Sequence, residues 1–349
     1  MNSAIRKLII VIAFLGAMAQ VQAGVKVYVP LGDANEILVI DGDTDEVVGR
    51  IGDVTNAHGL AATPDGNYLV AGSMSLAPKD QKIPEGMTAD EHNAHHKSPD
   101  GEDKNAGNGV SFVSLLDAET MRVVQRIEVD GITHHSAVTP DGRYAVATHT
   151  TAGNISIIDL INRKLMKTIS TGPVPNYALI SGDGRYVYIS NSGNNTISEI
   201  ETGQWTLRRS IPVGTTPEHM VFSPDEQTIY VINVGDNTVA RVSLADGKVT
   251  SIYPVGEGPH GIALSDDNST LFVSSKSGNQ LSAINIATGN TSNIALEPKP
   301  YHIASITGTG KLYVSSRAEP WIWVLDQDSL EVLRKIPIKG AGHQMVVVQ

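Results

Sequence analysis

Seven histidines occupy matching places in the chain: His58, His134, His135, His219, His260, His302 and His343 each fall in the first two positions of a short recurring stretch. Its clearest copy is Pro259-His260-Gly261-Ile262-Ala263-Leu264-Ser265-Asp266-Asp267. Across the copies the first position reads His58, His134, Asn176, Glu218, His260, Tyr301, His343, and the second Gly59, His135, Tyr177, His219, Gly261, His302, Gln344. The 349 residues include no cysteine. Disulfides and thiolate sites are therefore excluded, and a metal has only His, carboxylate, Met or Tyr to hold it. Imidazoles with a carboxylate and a phenol nearby suit copper, zinc, nickel or iron, and copper is the first expectation because imidazole-rich sites favour it among divalent ions. The competing reading is structural: an imidazole bonds the backbone of a neighbouring strand, and Gly after His permits close packing.

From the second copy onward the starts lie 42, 42, 42, 41 and 42 residues apart, the period of a four-stranded propeller blade. Seven copies predict an all-β, seven-bladed β-propeller running as one domain over residues 24–349. A complete blade reads inner strand 261–265, second strand 271–275, third strand 280–286 and outer strand 291–296. Thr63-Pro64-Asp65-Gly66 and Thr139-Pro140-Asp141-Gly142 supply the turn after the inner strand, with weaker versions at Ser181 and Ser223. Residues 24–57 hold three strands without an inner one, and Gly342 to Val348 is an inner strand with nothing after it. The two ends should complete one blade and leave no open sheet edge.

In such a blade the connection into the inner strand and the connection between strands two and three open on one face of the disc. That face gathers the seven histidines around the central channel and adds His149, at the end of a second strand. Neighbouring residues on a strand point to opposite sides. A distorted strand start breaks this alternation, so the pattern leaves open which of the two positions faces the channel. His149 and Glu218 are candidates for moving protons. One blade is long, 76 residues from His58 to His134, and the surplus at 77–108 holds His92, His95 and His96. A loop of this length is a gate, a metal-capturing lid or a solvated insertion.

The run Thr139-Pro140-Asp141-Gly142-Arg143-Tyr144, the run Tyr186-Val187-Tyr188-Ile189-Ser190-Asn191, Ile157-Ile158-Asp159 and the Val-Gly-x-x-Pro at 213–217 resemble the YVTN-type propeller repeat. That family is related to the haem-d1-binding propeller of cytochrome cd1 nitrite reductases. The resemblance implies the fold over nearly all of the chain past residue 24. Its members include enzymes, cofactor carriers and interaction modules. A d1-type propeller would take a haem over the channel with an axial histidine, and Lys276 and Arg317 would meet its carboxylates. At the level of fold and ligand type, the histidines also resemble the copper centre in the propeller of nitrous oxide reductase. That likeness includes a paired His-His at an inner-strand start, here His134-His135. The cysteine-containing electron-transfer domain of that enzyme has no counterpart in this chain.

Arg6 and Lys7 precede an apolar run from Leu8 to Met18 and then Val21-Gln22-Ala23, a pattern read as a cleaved export signal with the mature chain starting near Gly24. A periplasmic or secreted protein without stable membrane insertion is expected. The formal charge of −11, or −13 without Arg6 and Lys7, argues against nucleic acid as a partner. The expected partners are a metal ion or small molecule and, for redox work, a periplasmic electron-transfer protein. If an enzyme, the chain would be a metal-dependent oxidoreductase. The rival readings are a haem-d1-like cofactor-binding or maturation protein and a non-catalytic interaction scaffold. Asp41-Gly42-Asp43-Thr44-Asp45 imitates a calcium loop but lacks its Gly and bidentate Glu. Gly308-Thr309-Gly310-Lys311 lacks the upstream Gly of a phosphate loop.

Overall fold

The computed structural model describes residues 24–78 and 109–349. The expected leader at 1–23 and the loop histidines His92, His95 and His96 lie outside the described residues. Among the described residues no helix is long and apolar enough to cross a membrane.

Seven antiparallel sheets form the ring, six of four strands and one of five, as the period required. Both faces of a blade are covered by its neighbours, so the middle strands are buried along most of their length rather than on alternate residues. Thr228–Asn233 is buried at all six positions. The outer strand Lys164–Ser170 buries Ile169 alone, because beyond it there is only solvent. The turns after the inner strands share one device. A Thr or Ser hydroxyl donates to an Asp two residues on and accepts the amide five residues on, as in Thr63 to Asp65 (2.6 Å) with Tyr68 (3.0 Å). The same hydroxyl–Asp bond recurs at Thr139, Ser181, Ser223 and Ser265. The weaker-looking turn sequences at Ser181 and Ser223 are therefore equivalent to the Pro-containing ones.

The ring closes with its own ends. Val346–Val348 pairs antiparallel with Lys26–Leu31, Tyr28 opposite Val346. Val27 and Ile40 of this blade pack with Ile306, Tyr313 and Val324 of the last one. The C-terminal strand is shorter than the expected 342–348, although His343 N–H still reaches Pro30 O at 3.0 Å. In the long blade, Ala77–Pro78 forms a short fifth strand against Gly109 and Val110 at the root of the insertion.

The inner strands start with a bulge that decides the site. Between Pro217–Asn233 and Met220–Val231, two residues, Glu218 and His219, stand opposite Ile232 alone. Ala57/Leu60, Pro175/Ala178 and Pro300/Ile303 show the same shift, and so does the strand carrying His134 and His135. An extra residue re-aims side chains that strict alternation would send to opposite faces.

Candidate metal centre

Because of the bulges, residues of both positions meet in the channel. All seven histidines join one contiguous cluster. His58 stacks on His134 (4.4 Å between ring centres) and touches His343 (4.3 Å), His135 touches His219 (4.6 Å), and His219 touches His260 (4.4 Å). His302 contacts His58, His219 and His260. Where the second position is Gly, close packing explains it. A Cβ on Gly59 would lie 2.4 Å from His135 Cα, and one on Gly261 2.6 Å from Tyr301 O. Each of these glycines makes room for the next blade's bulge.

Hydroxyls opposite the bulges hold them in place. Thr148 Oγ1 accepts from His135 N (3.0 Å) and donates to Asn176 O (2.9 Å), while Ser315 Oγ accepts from His302 N (3.1 Å) and donates to Gly342 O (2.8 Å). Ser190 and Ser274 take the corresponding amides of Tyr177 and Gly261. A small hydroxyl at one place in four second strands, Thr148, Ser190, Ser274 and Ser315, is the repeat signal that marks these bulges.

Four imidazoles have their tautomer dictated by what Nδ1 faces. His134 Nδ1 faces Asn176 O at 3.3 Å, His219 Nδ1 faces His260 O, and His260 Nδ1 faces Glu218 Oε2 at 3.1 Å. His135 Nδ1 faces Gln344 Oε1 at 2.9 Å, an oxygen that also accepts from Leu60 N–H (3.1 Å). Every one of these partners accepts, so each Nδ1 carries the proton and each neutral ring has its lone pair on Nε2. Three of those lone pairs face another imidazole: His135 Nε2 and His219 Nε2 are 2.9 Å apart, and His260 Nε2 lies 3.4 Å from His302 Nε2. His58 Nε2 and His343 Nδ1 are buried with no hydrogen-bond partner among the described residues.

Burial keeps the rings neutral. It holds His219 down to about 3 and His343 to about 4, against 6.5 for an ordinary imidazole. His58, His135, His260 and His302 are driven well below 6.5 by burial first and neighbouring positive charge second, and His134 is lowered by burial. Three groups can each offer three nitrogens within 4.8 Å of one another: His58 with His134 and His135, His58 with His302 and His343, and His219 with His260 and His302. His58 and His302 each belong to two of these groups.

The other site candidates fall into two places. His149 lies away from the channel cluster, inside its blade. Its Nε2 contacts Ser156 Oγ at 2.8 Å and its Nδ1 contacts Thr133 Oγ1 at 3.3 Å, and burial lowers it to about 4. Asn191 does the same work in the next blade, bonding Ser198 Oγ at 2.9 Å. The expectation that His149 faces the opening is corrected: its ring is fully buried and bonded to the strands on either side of it in its own blade. Lys276 and Arg317 do reach the mouth, each 5.7 Å from the centre of the Tyr301 ring. Tyr301 in turn stacks on His260 at 4.1 Å and 9°.

The fold and this cluster define the class: a seven-bladed β-propeller with a histidine-lined channel. A family model described as lactonase, 7-bladed beta-propeller, matches residues 176–250. No curated protein matches the chain in sequence. Among solved structures, Kuenenia stuttgartiensis hydrazine synthase is similar at 20% identity and TM-score 0.66, covering 82% of this chain and 87% of that one. The Pseudomonas aeruginosa periplasmic gluconolactonase PpgL is similar at 18% identity and TM-score 0.69, covering 93% and 99%. Dihydro-heme d1 dehydrogenase NirN in complex with DHE is similar at 16% identity and TM-score 0.66, covering 91% of this chain and 65% of that one. These likenesses establish the fold, and the d1-type propeller expected from the repeat is among them.

Proposed function

We propose that the protein is an exported metal-binding propeller whose channel histidines hold a transition metal, copper first, for small-molecule redox chemistry or metal handling. The observation that carries this reading is the set of three rings, His135, His219 and His260, whose Nδ1–H is tied to a carbonyl or carboxylate while Nε2 faces another histidine. Metal-ligating histidines are oriented in this way, since the outer bond fixes the tautomer and raises ligand basicity. The spacings fit as well. With metal–nitrogen bonds of about 2.0 Å, two nitrogens at right angles on one ion lie about 2.8 Å apart and two at a tetrahedral angle about 3.3 Å. The observed pairs are 2.9 Å and 3.4 Å. The closer pair suits the tetragonal preference of copper(II) or nickel(II).

Bound there, the metal would supply one-electron chemistry or Lewis acidity. The chain's own residues would contribute buried, neutral imidazoles, with Glu218 holding the His260 proton on Nδ1. A haem-d1-like role is the second reading, favoured by the NirN likeness and by Lys276 and Arg317 at the mouth. The packing of the histidines against one another suits an ion between them better than an axial ligand under a macrocycle. X-ray absorption at the copper edge of the loaded protein tests the proposal. A shell of imidazole nitrogens near 2.0 Å is expected, and a shell of carboxylate oxygens alone would overturn it. A haem band in the purified protein would favour the second reading.

A further inference from the structure

We propose that Lys276, Arg317 and Tyr301 form an anion subsite on the wall of the channel mouth, fitted to a small carboxylate or an equivalent oxyanion; this rests on the metal reading above. Lys276 follows strand Thr270–Ser275 and Arg317 follows Lys311–Ser316, the second strands of neighbouring blades. Both cations stand 5.7 Å from the centre of the Tyr301 ring, which stacks on His260. The cations and the histidines therefore share one wall. Neither cation has an ion pair among the described residues. Lys276 is half-buried and Arg317 is exposed, so the wall opens to solvent at Arg317.

Charge balance says what belongs there. Two carboxylates act on the cluster, Glu218 at His260 and Asp33 at His343. Among the described residues these two charges equal those of Lys276 and Arg317. The imidazoles are neutral ligands, so a bound metal ion keeps its whole charge in a buried site, which is costly without a counter-charge. An anion landing between the metal and the two cations removes that cost. The planar guanidinium of Arg317 can bond two oxygens side by side, and the Tyr301 hydroxyl is a further donor. A two-oxygen anion matches these donors better than a spherical one.

Acetate and acetamide share a shape and differ in charge, so calorimetric titration of each into the full chain tests the subsite. The chain is used both copper-loaded and metal-free, in a buffer whose only anion is a bulky sulfonate. Acetate is expected to bind the copper-loaded chain at least about tenfold more tightly than acetamide, as one charge-assisted contact implies. The double variant Lys276→Gln/Arg317→Gln is expected to lose about tenfold or more of the acetate affinity with its copper content unchanged. Equal binding of the two probes, or undiminished acetate binding by the variant, overturns the proposal. A chain that refuses copper defeats the metal reading alone. The metal-free titration then decides the subsite: acetate binding abolished by the double variant upholds it, and absent or undiminished binding overturns it.

Discussion

His135 and His219, 84 residues apart in the chain and on blades separated by a third, bring their Nε2 atoms to 2.9 Å inside the channel. Gln344 and the backbone carbonyl of His260 keep a proton on each Nδ1, so two lone pairs face one another. In the proposed reading a bound cation lies between these opposed lone pairs. The low basicity of both rings makes a metal ion the better candidate than a proton.

The outer bonds should matter nearly as much as the ligands. Glu218→Ala removes the acceptor behind His260 and touches no inward-facing nitrogen. A loss of about 10–100-fold in metal affinity is expected, measured by competition with a chromophoric chelator. Unchanged affinity would mean that His260 is not a ligand.

Metal binding should be nearly independent of pH where ordinary histidine sites fail. With His219 near 3 and His343 near 4, protons do not compete for these rings at pH 5. Copper occupancy is expected to be the same at pH 7 and pH 5, and the binding enthalpy the same in buffers of different ionisation heat, since no proton is released. A fall of tenfold or more by pH 5 would show that the rings are basic and the site open.

The metal-free fold should be acid-labile for the same reason. Each imidazole is depressed in the folded chain and ordinary, near 6.5, in the unfolded one, so the unfolded state takes up more protons below pH 6.5. Stability is therefore fully present above that pH and falls below it, by about 1.4 kcal/mol per pH unit for each such histidine. Denaturant midpoints of the metal-free chain are expected to drop steeply from pH 7 to pH 5. Flat midpoints would show that the rings are protonated when folded.

His149→Asn should leave metal content unchanged and cost little stability, because Asn191 and Asn233 fill the corresponding places in the next two blades. Melting temperature and metal content together check this. Loss of metal with the fold intact would restore a site role for His149.

The blade period, the turns and the closure by the two ends were legible because each repeats a local rule: a Thr or Ser to Asp turn, an apolar pair of middle strands, a His-marked start. The cluster was legible in its residue types but not in its geometry. Alternation alone would have sent His134 and His135 to opposite sides, and only the bulge opposite Thr148 brings both into the channel. The place of His149 was not legible because a strand's last residue reads the same whether it faces the mouth or bonds within its own blade. The tautomers depend on Gln344 and Asn176, far apart in sequence, and no local pattern announces such contacts.

The most direct test is metal content, by mass spectrometry, of untagged protein purified without chelator and then challenged with copper, beside the variant His135→Ala/His219→Ala. The expected result is about one or more coppers per folded wild-type chain and little or none in the variant, with both giving the same β-sheet circular dichroism. A wild-type chain that stays metal-free, or a variant that binds as much copper as the wild type, would contradict a metal centre in the channel.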